Sequence, residues 1–523
     1  MIPVRTTLIS AAAMLLAAAI GCGCGSAPPP APPPAPPMAE PTSTAELEWQ
    51  PTPDAPFRQQ APTPSAEKPW EAPVAVEAKL SNGMRVFFVQ RPTLPIVVVQ
   101  LVSPRGAAHQ PHPGMGSFMG AMLEQGTFKR SALEISDAYL DIGAEHNAWV
   151  GWDSTNVMIQ VLPEKLQRGI EIMADVFRNP SFPTSEVDRV RSETQASIRQ
   201  HMDQPRILVS NTVARTLYAG HPYGESLVGT EASLGRVTSA GLKAFHRSTV
   251  IPQESFVVVV GNTTQSELTE YLEAAFVDWR GADQPPKQIK APAPVARKIR
   301  VIERKGAEQS NIAVAAVGVP RSTESFDAIL MGNAVFGGMF SSRLNTNLRE
   351  KHGYTYGAYS SFDMRQGPGP FSARAAVDAP NTGAALKEVL NELVRFCSSP
   401  PEAAELSLAL GQEVTSLPGL FESFEATANV IAALGVYGKS PDEFRQRPGR
   451  LRAITPGQVQ TVAARYFDPN KMQIVVVGDL DSVLPQLEEL KFGPIEVVDA
   501  VSSKVIRTIP LQGQPLTFSC AGP

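Results

Sequence analysis

At 523 residues the chain is too long for one ordinary core, and length alone predicts about three to four domains. Apolar residues make up 43% and charged residues 19%, the proportions of a globular soluble protein. A net charge of −5 leaves no basic surplus, and no Lys/Arg cluster could follow a phosphate backbone, so the sequence excludes nucleic acid as a partner.

Arg5 precedes the apolar run LISAAAMLLAAAI, Leu8 to Ile20, which is too short to span a bilayer and reads as a secretory signal over residues 1–21. The run closes in Ala19-Ile20-Gly21-Cys22, similar to a bacterial lipobox with Cys22 as the acylated residue, although Ala19 stands where Leu is usual. An ordinary cleaved signal with incidental Cys22 and Cys24 is the alternative. Residues 22–75 are rich in proline, which removes backbone donors and favours an extended, unfolded tether.

The next segments alternate in period. VFFVQ and IVVVQLVS read as strands, Ser117 to Gln125 and Ser131 to Ile142 as helices, and Gly143 to Gly151 as an edge strand. NVMIQVLP is a further strand, followed by amphipathic helices over Glu164 to Phe177 and Ser185 to Met202. Thr238 to Gly261 is a Thr-capped helix, a turn at Pro252 and a strand VVVV closed by glycine. The same pattern recurs without a gap from Thr455 to Gly478, with the turn at Pro469. Between the copies lie the Pro/Lys-rich hinge Gln284 to Lys298 and the strands NIAVAAVGVP and PFSARAAVDA. Helices are expected over Phe326 to Phe336, Ser342 to Lys351 and Thr382 to Phe396, and Phe362 to Phe371 reads as a hairpin loop. Strand pairs interleaved with helices imply α+β modules, helices packed on a mostly antiparallel sheet, at 76–283 and 299–498, with a linker at 284–298 and a tail at 499–523. Cys397 and Cys520 stand near a helix end and in that tail, and no disulfide framework is expected from them.

GGMFSSRLNTNLREKHGYTYGAYSSF, Gly337 to Phe362, resembles the C-terminal module of the M16 (insulinase/pitrilysin) metallopeptidases, in which an Arg and a Tyr stand seven residues apart. Here they are Arg349 and Tyr356. KRSALEISDAYLDIGAEHNAWVGWDST, DQPRILV, HPYGESLVGT and VVVVGN resemble landmarks of the N-terminal module. The resemblance implies a duplicated α+β (LuxS/MPP-like) architecture. It also implies that Arg349 and Tyr356 reach the substrate carbonyl, where a guanidinium and a phenol stabilise developing negative charge. Taken bare, Arg349 would pair with Glu350 or another neighbour and Tyr356 would be core.

The family's zinc motif H-x-x-E-H falls on Ser117, Phe118, Met119, Gly120 and Ala121. Zinc needs imidazoles at i and i+4 on one helix face, a carboxylate from a later helix and a base for the bound water. Ser117, Ala121 and Gly120 supply none of these, and the distal carboxylate falls near Ser197, with Glu193 one turn early. Of seven histidines, His109 and His112 lie among prolines, and His146 on the edge strand is the single best alternative ligand. Gly120 lowers helix propensity, so its face either packs closely or leaves a hollow.

The edge strand offers Asn147, Ala148 and Trp149 for an extended peptide bound by strand addition, with Trp149 as an apolar wall. Some M16 peptidases are heterodimers in which a chain without the zinc motif supplies the Arg/Tyr pair. The expectation is a cell-envelope protein of a bacterium, lipid-anchored in the outer membrane and facing the periplasm. It would bind no metal itself, hold peptide or unfolded protein segments, and depend on an H-x-x-E-H paralogue that carries the zinc. The rival is a peptide-binding or scaffolding pseudoenzyme without a peptidase partner; Ser117, Gly120 and Ala121 argue against a peptidase active by itself.

Overall fold

In a computed structural model of the chain, residues 55–56, 70–281 and 288–520 are described, so Cys22 and most of the tether lie outside the described residues. The N-terminal sheet contains β1 (Val76–Lys79), β2 (Arg85–Gln90), β3 (Val97–Ser103), β4 (Glu145–Val150), β5 (Thr155–Val161) and β6 (Phe256–Gly261), in the order β1-β2-β6-β3-β5-β4. Only the β2–β6 pair within it is parallel. The central strands β3 and β6 are buried along their whole length, as their Val-rich runs require, and buried Gln100 within β3 bonds to Asn156 of β5. The glutamate, histidine and asparagine at the start of β4 are exposed, as suits a strand at the sheet's edge.

The C-terminal sheet repeats the plan with β7 (Ile299–Glu303), β8 (Gln309–Val317), β9 (Ala358–Phe362), β10 (Pro370–Asp378), β11 (Gln473–Gly478), β12 (Ile495–Val498) and β13 (Val505–Ile509). The order is β13-β12-β7-β11-β8-β10-β9, so β9 is the edge that corresponds to β4. Helices α1 (Met115–Met122), α2 (Ala132–Leu140) and α3 (Leu166–Arg178) bury their apolar faces against one side of the N-terminal sheet. Ser131 caps α2 by accepting from Glu134 N–H, and the Glu134 carboxylate returns a bond to Ser131, a reciprocal capping box. Thr238 and Thr455 cap the duplicated helices as their hydroxyls predict. The helix expected over Phe326 to Phe336 is α-helical to Asn333 and then widens into a π-turn over Ala334–Gly338.

The opposite sides of the two sheets are covered by exchange. Helices α4 (Thr184–His201) and α5 (Pro205–Leu217) follow α3, and α5 lays Leu208, Val209, Val213 and Leu217 on Ala313, Ala315, Val475 and Val477 of the C-terminal sheet. In return, the helix Phe424–Val436 places Phe424, Ala428, Ile431 and Ala432 on Val98, Val102, Phe256 and Val258 of the N-terminal sheet. Each half thus supplies one helix to the other's core, and the described residues after Lys68 form one compact unit.

The tail corrects the expectation for the cysteines. Cys397, at the end of the helix Thr382–Ser398, is bonded to Cys520. A separation of 123 residues gave the sequence no way to show that the two sulfurs meet. Asn470 secures the same segment, accepting from Phe518 N–H at 3.2 Å and donating to Phe518 C=O at 2.8 Å.

Candidate functional site

The positions where the zinc motif would fall lie on α1, and they form a packing surface. A Cβ on Gly120 would lie 2.8 Å from Val150 N and 3.0 Å from Trp149 Cα, so the helix rests directly on the backbone of β4. Gly116 is equally tight, 2.7 Å from Ala107 Cβ. Of the alternatives that Gly120 left open, close packing is the one realised. Ser117 is half-buried and Ala121 is exposed. On α4, the exposed carboxylate of Glu193 is paired with Arg189 at 2.8 Å, and Ser197 Oγ lies 3.3 Å from His201 Nδ1. Among the described residues no three His, Cys, Asp or Glu side chains converge where they could hold a metal. The side chains at the motif carry neither an imidazole nor a carboxylate, so they do not fit zinc.

Beside α1, the outer side of β4 is open. Gly151 N–H donates to Ser154 C=O at 2.9 Å, which sets the parity of the β4–β5 ladder. Alternation then turns the main-chain groups of His146, Ala148 and Val150 away from β5. Gly120 of α1 sits against the Val150 N–H, which leaves His146 and Ala148 as the free stretch. Asn147 is exposed and Ala148 half-buried. Trp149 points to the other side of the sheet, into the apolar cluster beneath the helix Phe424–Val436, so it is part of the contact between the halves and does not wall a peptide on the α1 side.

His146 has partners that sequence spacing could not show. Its Nδ1 lies 2.8 Å from Glu124 Oε1, just beyond the end of α1, and its ring stacks on Tyr139 of α2 at 4.2 Å and 16°. The hydrogen bond to Glu124 raises the imidazole above its ordinary value against the opposing effect of partial burial. Burial pushes the Tyr139 phenol far up, so it stays neutral.

Arg349 lies on a π-helical turn, Thr346–Lys351, a rare geometry that tends to occur at functional sites. Its Nε is 3.2 Å from Glu350 Oε1 and its guanidinium lies 4.6 Å from the Phe340 ring centroid. The pairing with Glu350 is the one expected from sequence alone. Tyr356 is the opposite of a core residue, with 89% of its surface exposed. Thr355 fixes the turn beneath it: Oγ1 accepts from Gly357 N–H at 3.1 Å and lies 2.6 Å from the Ala376 carbonyl of β10. Fully buried Asn345 ties both limbs together, donating to Phe340 C=O at 2.7 Å and accepting from Ala358 N–H at 3.0 Å. No hydrogen bond, ion pair or ring contact among the described residues joins Arg349 to Tyr356, or either of them to α1.

The Phe362 to Phe371 loop is more than a hairpin turn. Arg365 lies against the rings of Trp152 and Tyr223, 4.5 Å from each centroid, and the two rings themselves meet edge to face with centroids 5.2 Å apart. Gln366 N–H and Tyr437 O–H both donate to Asp153 Oδ2, at 3.0 and 2.9 Å. Burial raises the Asp153 carboxyl despite these two donors.

Two family models match the chain: "Insulinase (Peptidase family M16)" over residues 85–231 and "Peptidase M16 inactive domain" over residues 236–412. An uncharacterized zinc protease of Streptomyces coelicolor is 26% identical over 70% of this chain and 81% of its own length. A second, YmxG of Bacillus subtilis, is 25% identical over 53% of this chain and 68% of its own. The crystal structure of a peptidase M16 inactive domain from Pseudomonas fluorescens superposes with a TM-score of 0.71 at 25% identity, covering 77% of this chain and 98% of that one. A protease structure from Helicobacter pylori, at 20% identity and a TM-score of 0.70, shares the fold. The two matched segments and the paired α+β sheets agree with the motifs around Arg349 and Tyr356: the chain belongs to the peptidase M16 (insulinase) family.

Proposed function

We propose that this chain is the non-metal, substrate-binding subunit of a heterodimeric zinc endopeptidase of the bacterial cell envelope, with the zinc carried by an H-x-x-E-H paralogue. The observation that carries this reading is a contrast within one chain. Gly120 is packed against β4 where a catalytic carboxylate would be needed, while Tyr356 is held out into solvent on a turn fixed by Thr355. An exposed phenol on a braced turn is available to a substrate carbonyl, and Arg349 beside Phe340 is a second donor. Extended peptide or unfolded protein would lie along the open stretch of β4 at Asn147 and Ala148.

The same reading places the protein on a membrane through an acylated Cys22, facing the periplasm. The Cys397–Cys520 bond supports export, because disulfides persist in oxidising compartments. A second reading, a peptide-binding or scaffold protein without a peptidase partner, is favoured by the open edge of β4, which needs no metal to bind a strand. Mixing the purified chain with a zinc-bearing paralogue from the same genome tests the first reading. Peptide cleavage that neither chain shows alone is the expected result; peptide binding with no gain in cleavage would leave the second reading standing.

A further inference from the structure

On β4, His146 combines an outward-facing main chain with a side chain that is engaged on one side only. Its Nδ1 is taken by Glu124 and one ring face is covered by Tyr139, yet 30% of the side chain remains exposed. Nε2 is therefore the ring's remaining polar atom. We propose that the Glu124–His146 pair is a recognition site for a carboxylate-bearing residue of an extended peptide added along β4. This rests on the reading of β4 as a peptide-binding edge.

A strand added to β4 places one side chain beside His146 on the α1 side of the sheet, within the distance at which cross-strand pairs interact. With Nδ1–H directed at Glu124, Nε2 is an acceptor in the neutral ring and a donor in the imidazolium. The groups around it favour the second state. Glu124 approaches from beyond α1 and supplies the charge acting on the ring. Tyr139 of α2 contributes a buried neutral phenol, with the Arg130–Asp175 ion pair behind it. Ile159, opposite on β5, is apolar, and Glu145 is bonded to Gln160 on the other side of the sheet. Glu124 also neutralises the imidazolium, so what the site offers is a directed N–H donor, and a carboxylate is the strongest acceptor for it.

The test uses the full chain and three strand-forming peptides identical except for Asp, Asn or Leu at one central position; such a peptide can slide to the register that suits it. At about pH 6 the Asp peptide should bind about tenfold more tightly than the Leu peptide, with Asn between them. The preference should fade as pH rises through the imidazole's raised value. His146→Leu should abolish the preference. Glu124→Gln should lower the His146 titration followed by NMR and move the loss of preference to lower pH. Ala148→Pro, which removes an outward N–H at an edge position that tolerates proline, should abolish binding of all three peptides. Equal affinities for Asp and Leu peptides at about pH 6, or an unchanged His146 titration in Glu124→Gln, would overturn the recognition site and leave strand addition intact. No binding at all, or binding indifferent to Ala148→Pro, would overturn the β4 reading and the recognition site with it.

Discussion

The guanidinium of Arg365 lies 4.5 Å from the centroid of Trp152, so a residue from the C-terminal half's hairpin is gripped by an aromatic of the N-terminal half. Tyr223, which meets Trp152 edge to face, contacts the same guanidinium at the same distance, and its hydroxyl accepts from Gly367 N–H at 3.2 Å. A cation against two aromatic rings and largely out of water contributes about 2 kcal/mol or more. Arg365→Ala should therefore destabilise the folded chain by about 2 kcal/mol in urea unfolding. Tyr437→Phe, which removes one donor to Asp153, should cost about 1 kcal/mol. A loss within ±0.5 kcal/mol for Arg365→Ala would show that the clasp does not hold the halves together.

Gly120→Ala is predicted to destabilise the protein even though alanine is the better helix former. The helix gains about 1 kcal/mol in propensity. Against this, the new Cβ meets Val150 N at 2.8 Å and Trp149 Cα at 3.0 Å, backbone atoms that cannot turn aside. Overpacking of this kind costs about 1–3 kcal/mol. For the same reason the triple change Ser117→His, Gly120→Glu, Ala121→His should fail to bind stoichiometric zinc by elemental analysis. The glutamate would be driven into β4.

Reducing Cys397–Cys520 should lower stability by about 5 kcal/mol, the chain-entropy expectation for a closed loop of this length. The tail around Phe518 should become open to proteolysis first, since beside the disulfide it is held by a few contacts, from Asn470, from Ser398 to the Ser519 carbonyl and from Arg297 over the Phe518 ring. Thermal unfolding with and without reductant, repeated on Cys520→Ser, checks this.

Stability should fall in acid partly through His246. Its ring is buried, Nε2 lies 2.8 Å from the Phe177 carbonyl, and burial pushes its value down to about 4. In the unfolded chain a histidine titrates near about 6.5. Between those values the unfolded state binds the extra proton, so this contribution is complete above about pH 6.5 and is lost as pH falls through about 4. It amounts to about 3 kcal/mol. His246→Gln, whose amide can still donate to Phe177, should flatten that part of the pH–stability curve; an unchanged slope would remove His246 as its source.

Tyr356→Phe separates function from structure. With 89% of the residue exposed, the change should alter stability by no more than about 0.5 kcal/mol. In the reconstituted pair the cleavage rate should drop by about 10²–10³, mainly in kcat, if the hydroxyl stabilises an oxyanion. Arg349→Ala should also weaken substrate binding. Intact rates in both variants would mark the pair as structural and favour the scaffold reading.

Local interactions left clear traces in the sequence. The alternating strands, the Thr238 and Thr455 caps and the duplicated helix–turn–strand all depend on neighbours within a few residues, and each reappears in the fold. The motif around Arg349 and Tyr356 was legible because it is contiguous, as was its counterpart's loss at Ser117, Gly120 and Ala121. Relationships between distant segments were not legible. Trp149 turned out to face the C-terminal half, since strand alternation says that a side chain changes sides but not which side a remote helix covers. Glu124 and His146, Arg365 and Trp152, and Cys397 and Cys520 each lie on different elements and meet only in the folded chain. Periodicity records which face of an element is apolar. The partner of a polar or sulfur atom on a different element is decided by packing, and only the tertiary structure contains it.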